Sequence, residues 1–320
     1  MTKRSAALYL ILAGLLLISA GGCLAWSAGP RTDVTSTASA IPLPSQTPPA
    51  TATPRPVSFD GERAYQDVKT QVSFGPRVPG TEGHAQIQAW IMTELAAAGW
   101  QVEIQESQAL GHPIENIVAK RNADAPQIIL GAHYDTRMFA DNDPDPAQHT
   151  NFVPGANDGA SGVAVLLELA RTLPTDTVPV WLVFFDAEDN GRIEGWEWIL
   201  GSREFVRNNP VQPRAAIIVD MVGDADLNIY KERNSNPDLT DEIWDVAKDL
   251  GYESKFIPEY KFSMIDDHTP FIEAGIPAVD IIDFDYPHWH TIQDTPDKVS
   301  AASLHAVGET VRTWVIQQRP

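Results

Sequence analysis

Four apolar runs, at residues 128–130, 180–185, 215–219 and 278–282, give way abruptly to polar or glycine-rich sequence. They are too short for ordinary helices and lack the alternation of a half-solvated strand. They therefore read as strands buried on both faces of a largely parallel sheet. Between and around them lie segments with apolar residues at helical spacing. These are 84–98, stopped by Gly99, then 162–173, 240–250, 269–274 and 301–317. Residues 101–105 and 116–119 read as an antiparallel pair at a sheet edge. Strand, polar loop and helix in repetition predict an α/β fold, a three-layer sandwich with a mixed, mostly parallel central sheet flanked by helices.

The residues just beyond these runs carry the chemistry. They are His133 in GAHYDT, Asp158 in PGANDGASG, Glu188 and Asp189 in FFDAED, Asp220 in AIIVDMVGD, and His290 in HWHTIQDT. In open α/β sheets the carboxyl ends of the strands border the ligand crevice. Histidines and carboxylates converging there point to metal-assisted hydrolysis or transfer. His133 and Asp135 sit two apart on a strand and share a face, so Asp135 can fix the imidazole tautomer; a hydrogen-bonded surface histidine is the plainer alternative. Asp158 opens a helix, where a capping role competes with a ligand role. The small residues Gly155, Ala156, Gly159, Ala160 and Gly162 around it predict a backbone packed close against something. Adjacent side chains diverge, so of Glu188 and Asp189 one can bind metal while the other serves as acid and base. Asp220 ends another buried strand, a position an aspartate also takes for structural reasons. His290 lies in a turn-rich loop with Asp294 placed to support it. Trp289 and Tyr286 beside it are candidates to wall a pocket, although buried tryptophan is more often core.

Composition narrows the class. The 320 residues are 43% hydrophobic with nine tryptophans, enough for a substantial core, and the net charge of −20 argues against a phosphate-binding surface and nucleic acid as partner. Lys3 and Arg4 precede an apolar stretch, 6–20, that ends at Gly21, Gly22 and Cys23, the layout of a secretory signal over residues 1–23. Cys23 is the single cysteine, placed where a lipoprotein would be processed and lipidated. An uncleaved anchor over 6–26 and simple secretion are the alternatives. Each places the catalytic part outside the cytoplasm, anchored to the membrane or secreted. Residues 24–58, rich in Ser, Thr and Pro, read as a disordered linker, which leaves 59–320 as the catalytic domain.

With these residues in hand, the chain resembles the zinc aminopeptidases and glutaminyl cyclases that share one α/β fold. The resemblance rests on FGPRVPGTEGHAQIQAWI, GAHYDT, PGANDGASGVAVLLELAR, FFDAED, GSREF, DMVGD, DDHTPF, GIPAV and WHTIQDTPDKVS, in that order. In the aminopeptidase branch it implies two zinc ions held by His133, Asp158, Asp189, Asp220 and His290, Asp158 bridging, with Glu188 as the base that activates water. In the cyclase branch it implies one zinc on Asp158, Asp189 and His290. Glu188 then relays a proton during pyroglutamate formation, with Asp266 and Asp220 in its hydrogen-bond network. Either substrate is a peptide or protein N-terminus. The DDHTPF segment from Asp266 and the Trp289–His290 pair resemble the cyclases, and Trp196, Trp198 and Trp289 would form a cage for the glutamine side chain. Gly159 and Asp189 depart from both branches, where Glu is usual at the latter position. The leading expectation is glutaminyl cyclisation. Aminopeptidase hydrolysis is second, and a non-catalytic binding ectodomain on the same fold is third.

Overall fold

The computed structural model describes residues 57–318. The segment expected to be a signal or anchor, Cys23 and the expected linker up to residue 56 lie outside the described residues. Among the described residues no helix is long and apolar enough to cross a membrane.

Eight strands and seven α-helices follow one another as α1 (Gly61–Ser73), α2 (Glu82–Ala97), β1 (Gln101–Ala109), β2 (His112–Arg121), β3 (Ile128–His133), α3 (Ala160–Thr172), β4 (Val180–Phe185), α4 (Leu200–Asn208), β5 (Ala215–Asp220), β6 (Ile229–Lys231), α5 (Pro237–Asp249), β7 (Phe256–Tyr260), α6 (Thr269–Glu273), β8 (Ala278–Ile282) and α7 (Ala301–Gln317). The main sheet has the order β1-β2-β4-β3-β5-β8. Strands β4, β3, β5 and β8 are parallel, and β1 and β2 add an antiparallel edge. This is the expected mixed, mostly parallel sheet. Strands β6 and β7 form a separate parallel pair with an irregular register that the sequence pattern does not announce.

Why four continuous apolar runs make one sheet is visible in how their residues divide. Successive strand side chains point to opposite faces. On one face Leu130, Leu182, Phe184, Ile217, Val219, Val279 and Ile281 join a core with α1, α2, α3, α5 and α7; on the other Ile129, Trp181, Val183, Phe185, Ala216 and Ile218 join Phe205 of α4 and Phe271 of α6. Helix α3 is sealed within the first core along nearly its whole length, which is why its sequence is apolar on all sides.

The two helices absent from the sequence reading have weak local signals. Helix α1 buries Ala64 and Val68 but also the polar Asp67 and Gln71, so its apolar stripe is broken. Its N-cap Asp60 accepts a hydrogen bond from the Arg63 amide. Helix α4 begins after Ile199 at φ 57° with no side-chain cap, so the usual start signal is missing.

Candidate metal centre and proton-transfer site

The parallel strands deliver their last residues to one crevice. His133 ends β3, Asp220 ends β5, Glu188 and Asp189 follow β4, Asp158 stands two residues before α3, and His290 lies in the loop after β8. All six are buried. His133 Nε2 is 3.1 Å from Asp220 Oδ1 and 3.2 Å from Asp158 Oδ1, while His290 Nε2 is 2.8 Å from Asp189 Oδ1 and 3.6 Å from Asp158 Oδ2. Two ligand groups result, His133–Asp158–Asp220 and Asp158–Asp189–His290, with Asp158 common to both and ligand atoms within 4.8 Å of one another.

Whether these residues fit a metal is decided by atoms with nothing else to bind. Asp158 Oδ2 and Asp189 Oδ2 are buried without a hydrogen-bond partner. Native interiors rarely leave such atoms orphaned. A set of two imidazoles and three carboxylates at these distances matches zinc chemistry. Electrostatics agree. Burial alone would lower the His133 imidazole, but Asp135, Asp158 and Asp220 together hold it well above its ordinary value. Burial, reinforced by Asp158, raises Asp189 to about 6, and burial raises Asp220 to about 7. A cation in the crevice would relieve that crowding.

Glu188 opens on the crevice with its carboxyl strongly perturbed. Burial is the main cause, followed by the charges of Asp189, Asp266 and Asp267, and together they hold it well above the usual carboxylate range. Its backbone is fixed by Asp135, whose carboxylate accepts the amides of Glu188 at 3.0 Å and Asp189 at 3.3 Å. Asp135 therefore holds the Glu188–Asp189 turn more firmly than the imidazole, from which it stands 3.5 Å away.

Several expectations are corrected here. The capping alternative for Asp158 falls away, because the N-cap of α3 is Gly159 with no side-chain hydrogen bond. Gly159 has φ 70°, and a Cβ there would come within 2.9 Å of the His133 ring, which explains the small residues around Asp158. Asp294 does not support His290. It accepts the amides of Asn157 and Asp158 at 2.8 and 3.1 Å and the Tyr286 hydroxyl at 2.7 Å, so it braces the Asp158 loop. That bond and its packing against Met221 and Ile282 bury Tyr286, which does not line the cavity. Trp196 is not in the cavity wall either. It stacks on His112, with ring centroids 3.7 Å apart. The cage thus has two tryptophans. Trp198 lies nearly parallel to the His290 ring at 6.0 Å, and Trp289 packs on it at 3.9 Å. With Phe284, Met264 and Ile265 they line a cavity of ≈ 300 Å³ whose floor is Asp158, Glu188, Asp189, Asp220 and Asp266.

Three supporting residues escaped the sequence reading. Arg77, fully buried, donates to the carbonyls of Tyr134, Pro154 and Gly155 and so pins the loop leading to Asp158. Arg137 donates to the carbonyls of Asp189 and Gly191, pairs with Asp141 and faces the Trp198 ring at 5.0 Å. Asp141 in turn comes within 3.8 Å of His290 Nδ1, the place expected for Asp294. An arginine in a loop gives no sequence sign of which carbonyls it will reach. Strain marks the site as well: Ala187, Arg192, Met221 and His290 all have φ between 45° and 64°.

Residues 116–315 match the model of peptidase family M28. Among solved structures, a glutaminyl cyclase from Bacteroides thetaiotaomicron bound to N-acetylhistamine superposes with a TM-score of 0.78 at 36% identity, covering 82% of this chain and 99% of that one. A leucine aminopeptidase precursor from the same organism gives a TM-score of 0.78 at 36% identity, covering 83% and 99%. A glutaminyl-peptide cyclotransferase from Boiga irregularis is 23% identical over 75% of this chain and 77% of its own length.

Proposed function

The chain belongs to peptidase family M28, and from that premise we propose that it is a zinc-dependent glutaminyl-peptide cyclotransferase, converting an N-terminal glutamine to pyroglutamate with release of ammonia. The observation that carries this reading is the pairing of a buried, high-pKa Glu188 with a small cavity walled by Trp198, Trp289, Phe284 and Met264.

The reaction joins the substrate's α-nitrogen to its own side-chain carbonyl carbon and breaks the bond from that carbon to the amide nitrogen. Glu188, as the carboxylate, accepts the proton that the α-amine loses while the new bond forms. It then returns that proton to the departing nitrogen, which leaves as ammonia, so the enzyme ends as it began. Such a shuttle works best when the carboxyl titrates near ambient pH, the direction in which burial and its acidic neighbours push Glu188. Asp266, on the same cavity floor, strengthens that push and offers a second acceptor for the substrate's amine. The aromatic walls hold the side chain curled toward its own amine and keep out the water that would hydrolyse instead. Asp158, Asp189 and His290 would hold one zinc ion, which polarises the side-chain carbonyl when bound.

One observation favours a second reading. His133, Asp158 and Asp220 form a complete further ligand group, and two metals sharing Asp158 would suit a metalloaminopeptidase in which Glu188 activates water. A panel of peptides separates the two. Ammonia release confined to peptides that start with glutamine, abolished by a chelator, is expected; free N-terminal amino acids would overturn the cyclase reading. We further propose an extracytoplasmic location with attachment through the N-terminal apolar segment or a lipid on Cys23, a reading supported by the sequence of residues 1–23 alone.

A further inference from the structure

Behind Asp266 lies a second buried polar cluster, of which the proposed reaction uses Asp266 alone. Glu232 follows β6, Asp266, Asp267 and His268 form the turn into α6, and Asp280 sits in the middle of β8; none is more than 5% exposed. An aspartate inside a strand sealed on both faces demands a partner. Yet both oxygens of Asp280, both oxygens of Asp267 and both ring nitrogens of His268 are buried without a hydrogen bond. Ligand atoms of Asp266, His268 and Asp280 lie within 4.8 Å of one another.

The orientation of His268 gives this cluster a direction. Its Nε2 faces Glu232 Oε2 at 3.4 Å and its Nδ1 faces Asp280 Oδ2 at 3.8 Å. Glu232 is already held as an acceptor by the amides of Asn234, Ser235 and Met264 at 2.8, 2.7 and 2.9 Å. An ionised, immobilised Glu232 favours the tautomer with its proton on Nε2, which leaves the Nδ1 lone pair turned toward the carboxylates. Histidine ligands are commonly arranged this way, one nitrogen on the metal and the other donating to a carboxylate behind it. We propose that Asp266, His268 and Asp280 hold a divalent cation, of the kind that one imidazole and two carboxylates select, zinc before manganese. This site shares no residue with either ligand group of the crevice. Its cation would anchor Asp266, and through it the wall that faces Glu188.

The test counts metal and does not depend on which peptide reaction the crevice performs. The full chain, produced with added zinc and purified without chelator, is measured for divalent metal by inductively coupled plasma mass spectrometry. His268→Asn and Asp280→Asn are expected to hold one ion fewer than wild type while keeping its far-ultraviolet circular dichroism. His290→Ala is expected to keep the ion at Asp266, His268 and Asp280. Equal metal counts in wild type and both variants would overturn the proposal. Should the variants fail to fold, wild-type crystals decide. An anomalous peak at the zinc edge among Asp266, His268 and Asp280 is expected, and a map with a peak beside His290 but none here overturns it.

Discussion

The middles of β3, β4, β5 and β8 and the residues at their carboxyl ends are only a few positions apart, and they obey opposite rules. In the middles, Leu130, Leu182, Phe184, Ile217 and Val279 are fully or almost fully buried among apolar neighbours. At the ends, equally buried residues are charged, crowd one another, and leave Asp158 Oδ2 and Asp189 Oδ2 without hydrogen bonds. Backbone at the ends also adopts strained positive φ at Ala187, Met221 and His290, where no glycine eases it. The lesson is a division of labour. Apolar burial in the middles stabilises the fold, and it holds the ends in an arrangement that their own chemistry resists.

That division makes the two regions fail differently. The largest expected effect is at the ends: Glu188→Gln should lower kcat/KM for a glutamine-starting peptide by about 10²–10⁴-fold with zinc content and thermal midpoint unchanged. A variant with wild-type turnover would remove Glu188 from the proton path and break the contrast. In the middle, Phe184→Ala should lower the unfolding free energy by about 3–5 kcal/mol in a denaturant titration. The protein that stays folded should retain the wild-type KM, and a KM change as large as the stability change would mean that the two regions are not separable.

Next in size is a pH effect at Glu232. Although burial opposes its charge, His268 and the amides of Asn234 and Met264 pull its carboxyl down to about 2 from an ordinary 4.5. A carboxylate depressed by folding stabilises fully above its unfolded value and loses that contribution as pH falls through the folded one. Glu232→Gln should therefore be less stable than wild type by on the order of 2–3 kcal/mol near neutral pH, and the gap should close between pH 4.5 and 2. A gap that persists unchanged at pH 2 would exclude the ionised acceptor. The smallest effects separate the tryptophans. Trp289→Ala should raise KM roughly tenfold, in line with the loss of a packed aromatic contact. Trp196→Ala, outside the cavity, should leave kinetics unchanged, and a reversal of this order would restore the three-tryptophan cage.

What could be read in the sequence follows from the same division. The strand middles announce themselves because burial on both faces requires unbroken apolar runs, and 180–185 and 278–282 end where the strands end. His133, Asp158, Asp189 and Asp220 stand out as candidate ligands because they closely follow such a run or precede a helix, and His290 because it sits in the turn-rich HWHTIQDT loop. What escaped depends on contacts across the chain. Nothing local tells that Asp294 braces the Asp158 loop, a span of more than a hundred residues away, while Asp141 attends His290. Likewise Tyr286 and Trp196 look like pocket residues beside the motifs, yet the fold turns one toward Asp294 and the other onto His112. The small β6–β7 pair and the broken stripe of α1 fail for a related reason, since tertiary packing rather than local pattern selects them.

The central claim is that Glu188 moves a proton within the substrate and that water takes no part. The most direct measurement is turnover of a glutamine-starting peptide in water enriched in oxygen-18, read by mass spectrometry of every product. The account predicts ammonia and a pyroglutamyl peptide that carries no label. Label in a released N-terminal residue, or in a glutamate formed from the glutamine, would contradict it and make water the nucleophile that Glu188 activates.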